Sequence, residues 1–166
     1  MTWTIRKEAQ ISACGQYRWS LRRTWPGGNG RVICFVGLNP SIADADIDDP
    51  SVRRMIGFAQ AWGFSTLSVR NLFAYRATNP DKLLRAPVDA VGGRLGDMAV
   101  LTAVTADVTV AAWGAHPAGH ARATEVCGLI AYRYPAKQLM CLGTTKGGHP
   151  RHPLSVAKTQ TLLPYA

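Results

Sequence analysis

Apolar and polar positions alternate with different periods along the chain. Tyr17, Trp19 and Leu21 alternate with Arg18, Ser20 and Arg22, the period-two signature of a half-buried strand, and "PGGNG" at 26–30 then turns the chain. Residues 32–36 are continuously apolar, as expected of a strand covered on both faces. Asp49 followed by Pro50 reads as a helix N-cap with proline at the first helical position. Val52, Met55, Ile56, Ala59 and Trp62 supply the i, i+3, i+4, i+7 stripe of that helix, and Gly63 closes it.

A further strand is predicted over 66–69, running out into "RNLFAYR" at 70–76. Asn79-Pro80 starts a short helix, and a longer helical stretch is expected over about 91–105. Residues 108–112 form another buried strand, broken by Trp113-Gly114. Residues 119–133 read as a helix with Val126, Leu129 and Ile130 inward and Arg122, Glu125 and Arg133 outward. A last strand is expected over 138–142, followed by a breaker-rich loop, "GTTKGGHPRHPLSV", over 143–156. No repeat or low-complexity tract interrupts the pattern.

Strands alternating with helices predict one α/β domain over 1–166, with a mainly parallel central sheet and helices on both faces. Four of the strands end in polar punctuation: Asn39, Asn71, Trp113-Gly114 and the loop holding His149 and His152. Ligands of open parallel sheets bind outside the carboxyl ends of the strands. All four segments are therefore expected on one rim.

Composition narrows the picture. A chain of 166 residues with 47 % hydrophobic content is long enough to bury a core without disulfides or metal staples. Cys14, Cys34, Cys127 and Cys141 are widely spaced with no CxxC pair, which fits a reducing compartment and a cytoplasmic protein. No apolar leader follows Met1, and no run approaches the roughly 18 apolar residues of a membrane span. Lys and Arg number 19 against 10 Asp and Glu, a formal charge of +9 that favours a polyanionic partner, nucleic acid first. Asp44, Asp46, Asp48 and Asp49 cluster just after the first strand-end motif, which implies a local task for them.

The strand ends carry the candidate chemistry. In "GLNPS", Gly37 permits close backbone approach, Pro40 fixes direction, and the amide of Asn39 can orient a water or simply close an Asx-turn. Asn71 repeats the device one strand later. Its amide matches the donor and acceptor of a nucleobase edge, with Phe73 or Tyr75 available to stack, or it is a structural asparagine beside core aromatics. In "AAWGAHP", Trp113-Gly114 breaks a strand with His116 close behind. In "GGHPRHPLSVAK", His149 or His152 can lie near negative charge on a leaving base, while Arg151, Ser155 and Lys158 suit phosphate contacts. His116 and His120 have i, i+4 spacing, but Pro117 separates them, HExxH is absent and carboxylates are few, so no metal is expected. GxSxG and the GxxxxGK[ST] frame are also absent, which argues against a serine-nucleophile hydrolase and against ATP chemistry.

Taken in order, these segments resemble those of the uracil-DNA glycosylase superfamily, in which a first motif positions water and a later strand-end asparagine reads the base. A Trp-Gly element and a His-Pro-Ser-Pro-Leu-Ser type loop follow, which "WGAH" and "HPRHPLSV" resemble. A nearer similarity is to the family catalogued as domain of unknown function 1643, carried by "LNPSIADADIDDPSVRR", "NLFAYRATNP", "AAWGAH" and "CLGTTKGGHPRHPL" over about 16–156. The superfamily resemblance implies a three-layer α/β/α sandwich and an N-glycosidic hydrolase acting on DNA or a nucleotide, without metal or organic cofactor. It implies Asn39 and His149 or His152 as catalytic groups and Asn71 with Phe73 or Tyr75 around the base.

Two departures stand out. An asparagine replaces the acidic residue at position 39, and an uncharged amide cannot take a proton as a carboxylate can. Asp49 or Asp44 could supply the missing carboxylate, and Asp49 has the alternative role of helix cap. The last motif also carries one extra residue, leaving open whether His149 or His152 faces the site. Two rival readings follow: a nucleic-acid or nucleotide-binding module of the same fold without turnover, and an enzyme of free nucleosides or small nucleotides.

Overall fold

The computed structural model describes residues 4–165. Seven strands form one sheet in the order β1-β2-β4-β3-β5-β6-β7. They are β1 (Arg6–Ile11), β2 (Arg18–Thr24), β3 (Val32–Gly37), β4 (Thr66–Asn71), β5 (Val108–Ala111), β6 (Leu139–Cys141) and β7 (Leu163–Pro164). The helices are α1 (Pro50–Ala61), α2 (Gly93–Leu101) and α3 (His120–Arg133), with short 3-10 turns at Pro80–Arg85, Thr102–Thr105, Pro117–Gly119 and Pro153–Ser155.

The sheet is mixed, which corrects the expectation of a mainly parallel one. β4, β3, β5 and β6 run parallel in the middle, but β1 pairs antiparallel with β2, β2 with β4, and β7 with β6. The sequence pattern predicts neither of the two outermost strands. β1, "RKEAQI", has too few apolar positions to show a period, and β7 is only two residues long.

β3 is apolar throughout because it is covered on both sides. Ile33 and Phe35 join one core cluster with Val52, Met55, Phe58 and Ala59 of α1, while Cys34 and Val36 join another with Val100 of α2 and Val126 and Ile130 of α3. α1 starts where the sequence places it, with the Asp49 side chain accepting the Val52 N–H at 2.9 Å and Pro50 in the first turn. The stretch expected as one helix over about 91–105 divides into α2 and a 3-10 turn, and its start is delayed by Gly92 and Gly93, whose φ angles are +85° and +60°.

Two arginines sit on the wrong side of the simple pattern. Arg122 of α3 points inward, donating to the Leu72 carbonyl at 3.0 Å, Glu125 at 2.9 Å and Asp97 at 2.6 Å. Each of its three nitrogens thereby has an acceptor, two of them carboxylates that match its charge. Arg18, grouped by alternation with the polar positions of β2, is instead 3 % exposed. The cause is a break in register: Gln10 pairs with Ser20 and Ile11 with Arg18, so Trp19 is the unpaired residue of a β-bulge. The bulge shifts the phase and puts Arg18 on the face of Leu21 and Arg23, which packs against α1.

All four cysteines are free thiols. Among the described residues, no helix is long and apolar enough to cross a membrane.

Candidate functional site

β3, β4 and β5 end side by side, and their carboxyl ends open into a cleft of about 410 Å³ roofed by the start of α1 and the loop after β6. Asn39, Asn71, Trp113, His116 and His152 line it, as do Arg18, Asp49, Ser51 and Met55. The four strand-end motifs thus meet at one place. Phe73, Tyr75, His149, Arg151, Ser155 and Lys158 do not line this cleft.

Asn39 is held by its own amide, whose nitrogen donates to the carbonyls of Pro40 at 3.0 Å and Ala77 at 2.8 Å. Both acceptors are carbonyl oxygens, so chemistry fixes which end of the amide is which. With both hydrogens committed, Asn39 keeps only its Oδ1 acceptor for a ligand or water.

Asn71 has the complementary arrangement. Its Oδ1 accepts from Arg18 Nη2 at 3.2 Å, and a guanidinium only donates, so the Nδ2 group must point the other way. That nitrogen lies over Gly37, where an added Cβ would approach it to 2.8 Å. Gly37 therefore serves as room for the Asn71 amide, which is why the apolar strand ends in glycine. The Nδ2 hydrogens have no partner among the described residues, so Asn71 presents donors to the cleft.

Arg18 forms the floor. Its Nη1 donates to Ala43 O at 2.9 Å, its Nε is buried without a partner, and no carboxylate contacts it directly among the described residues. Burial pushes the guanidinium pKa down to about 10, opposed chiefly by the charge of Asp49. Nothing in local sequence marks this residue; only the bulge at Trp19 turns it inward.

Asp49 is buried at the mouth of α1. One carboxylate oxygen caps the helix, and the other carries no hydrogen bond among the described residues. The rest of the acidic cluster is structural. Asp44 Oδ1 accepts the Asp46 and Ile47 N–H groups, both at 2.8 Å, and those bonds hold its pKa below the usual carboxylate value. Burial alone would push Asp48 up, but hydrogen bonds from Arg23 at 2.7 Å and Lys7 at 3.0 Å bring it below. Arg23, fully buried, also donates to the Asp44 and Ile47 carbonyls and so anchors the whole loop.

His152 has a defined tautomer. Its Nδ1 accepts the Leu154 N–H at 3.1 Å, capping the Pro153–Ser155 turn, so the neutral ring carries its proton on Nε2. Burial lowers its pKa, with Asp49 opposing, so the neutral form dominates at neutral pH. Nε2 stands 3.5 Å from Ser51 Oγ. A protonated Nε2 cannot take the serine proton, which argues against Ser51 as an activated nucleophile and makes His152 a donor to the cleft. His116 is likewise a cap, with Nδ1 accepting from Ala118 N at 3.2 Å and Nε2 3.0 Å from Asp81.

The remaining candidates lie elsewhere. His149 stacks on His120 with ring centres 4.0 Å apart, and Arg151 Nε donates to Thr144 O. Phe73 packs against the α2/α3 core, and Tyr75 meets Tyr17 edge-on. Trp113 brings the aromatic surface of the cleft. Among the described residues, no three His, Cys, Asp or Glu side chains gather as metal ligands.

A family model described as a protein of unknown function (DUF1643) matches residues 18–154, which include every cleft residue named above. The chain belongs to the DUF1643 family. No curated protein and no solved structure matches it. Arg18, at the very start of the DUF1643 match, is thus part of the family's own segment rather than an extension to it.

Proposed function

We propose that this DUF1643 chain is an N-glycosidic hydrolase that releases a nucleobase from DNA or a nucleotide, on a glycosylase-like α/β/α sandwich. One observation carries the reading: a carboxylate oxygen of Asp49, the Nε2–H of His152 and the amides of Asn39 and Asn71 line one cleft of about 410 Å³. The two cores on opposite sides of β3 support the layered fold.

Hydrolysis of an N-glycosidic bond needs a water made nucleophilic, a held base and a stabilised leaving group. Asp49 supplies the proton acceptor that position 39 lacks, and Asn39 Oδ1 orients the water. Asn71 donates to an acceptor on the base edge, and Trp113 provides an apolar wall. His152 donates through Nε2 to the base as negative charge develops. The Arg18 cation beneath Asn71 favours that charge at a distance. No step requires a metal or an organic cofactor.

The test is excision from single-stranded and duplex oligonucleotides carrying uracil, hypoxanthine or xanthine, read as alkali-cleavable abasic sites. Release by the parent protein and its loss in Asn39→Ala are expected. Salt-sensitive retention of the same oligonucleotides with no abasic product would replace the enzyme by a binding module of the same fold.

A further inference from the structure

A second groove, of about 450 Å³, opens beside the cleft and shares Pro50 and Leu154 with it. Its wall is one stripe of α1: Pro50, Arg53, Arg54, Gly57, Phe58 and Ala61, spaced i, i+3, i+4, i+7, i+8, i+11. At 1.5 Å per residue this stripe runs about 16 Å. Lys158 and Leu154, from the segment after His152, form the opposite bank.

The groove holds three cations and no acidic residue. Arg54 donates one nitrogen to Val156 O at 2.8 Å, and Arg53 donates one to the Asp48 carbonyl. Among the described residues neither arginine nor Lys158 forms an ion pair, whereas Lys7, Arg23 and Arg122 all do. Gly57 lowers the middle of the stripe, with nothing within 4 Å of the position its Cβ would take. An elongated channel with unspent positive charge, ending at a nucleotide-sized cleft, matches a chain of phosphates better than a single anion.

We propose that this groove binds the phosphodiester backbone of a nucleic-acid strand whose target nucleotide occupies the cleft. The inference rests on the nucleotide reading of the cleft and makes the substrate a polymer rather than a free nucleoside. Arg53 and Lys158 neutralise successive phosphates, and Gly57 leaves room for the backbone between them.

The experiment measures binding by fluorescence anisotropy, across a salt series, of a single-stranded oligothymidylate about twelve nucleotides long. Thymidine monophosphate is the competitor. In the Arg53→Gln/Lys158→Gln variant the slope of log K against log salt should fall by about 1.4, from about 0.7 per lost phosphate contact. Affinity for the oligomer should then drop about twentyfold at 0.1 M salt, with the monophosphate changed less than about twofold. Both side chains are exposed, so an unchanged thermal midpoint verifies the fold.

An unchanged slope overturns the proposal. Equal losses for oligomer and monophosphate also overturn it, by reducing the groove to a site for one free phosphate. The readout needs no bond cleavage: groove-dependent binding without base release sustains the groove and removes the hydrolase, and base release with an unchanged slope does the reverse.

Discussion

In the proposed mechanism Asp49 carries two roles that substitution can separate. One oxygen caps α1 through the Val52 N–H at 2.9 Å, and the other, which carries no hydrogen bond among the described residues, is the proposed proton acceptor. Asparagine caps a helix about as well as aspartate, so Asp49→Asn keeps the first role and removes the second. Alanine removes both. Losing the cap costs about 1 kcal/mol, which for a domain of this size lowers the thermal midpoint by about 2–4 °C. The asparagine variant loses the charge at the helix N-terminus, about 0.3–1 kcal/mol, together with its attraction for the buried Arg18 and for His152. Loss of a general base costs about 10²–10⁴ in rate. Excision by Asp49→Asn should fall by that factor while the helix cap is kept, and Asp49→Ala should show the same kinetic loss with a midpoint lower than that of Asp49→Asn by the contribution of the cap. Thermal unfolding followed by circular dichroism and single-turnover release of base read the two quantities. Full excision by Asp49→Asn, with a defect in Asp49→Ala no larger than its instability explains, would reduce Asp49 to a cap and refute the assignment.

Two further predictions follow from the same geometry. Burial lowers the His152 pKa in the folded protein, so its contribution to stability is fully present above the unfolded value of about 6.5 and is lost as pH falls toward the folded value. Urea denaturation at pH 7.5 and pH 5.5 should show a drop that is smaller in His152→Asn, whose side chain still accepts the Leu154 N–H; an identical drop would place the titration elsewhere. Gly37→Ala puts a methyl 2.8 Å from Asn71 Nδ2, a side-chain end that can turn aside. Folding should survive with a midpoint lowered by a few degrees at most, while ligand binding falls about tenfold or more through one misplaced donor group. Normal binding by a folded Gly37→Ala protein would show that the Asn71 amide is not used.

Sequence periodicity reached the parts of the molecule whose side chains repeat. The apolar run of β3, the capped stripe of α1 and the order of strand ends on one rim are all local patterns, and each reports burial directly. What it missed depends on partners distant in sequence. Arg18 and Arg122 read as outward because charge normally is, yet each is buried where oxygens of other elements receive it: Ala43 O and Asn71 Oδ1 for Arg18, Leu72 O and Asp97 Oδ1 for Arg122. The outermost antiparallel strands escaped because β1 has too few apolar positions to show a period and β7 is two residues long. The choice between His149 and His152 was invisible because the prolines fix only the stiffness of the loop. The ring that faces the cleft is decided by the turn at Pro153 and by the stacking of His149 on His120.

The amides of Asn39 and Asn71 look interchangeable in sequence, and the structure makes them opposites. Asn39 spends its hydrogens on Pro40 and Ala77 and offers an acceptor; Asn71 spends its oxygen on Arg18 and offers donors. Neither can flip without cost, since reversal would set oxygen against carbonyl oxygen at position 39 and an N–H against a guanidinium at position 71. The cleft therefore has a polarity: a hydrogen-bond acceptor of the ligand belongs at the Arg18 floor, and a donor, or a water with a proton to give, belongs under Asn39. His152 adds an N–H held in one tautomer, and Asp49 an oxygen that no hydrogen bond occupies among the described residues. A group gaining negative charge is favoured near Asn71, Arg18 and His152, and a hydrogen-bond donor is favoured at Asn39, while the Asp49 charge acts on Arg18 and His152 as well. In the proposed hydrolysis the departing base would take the first of these positions and the attacking water the second.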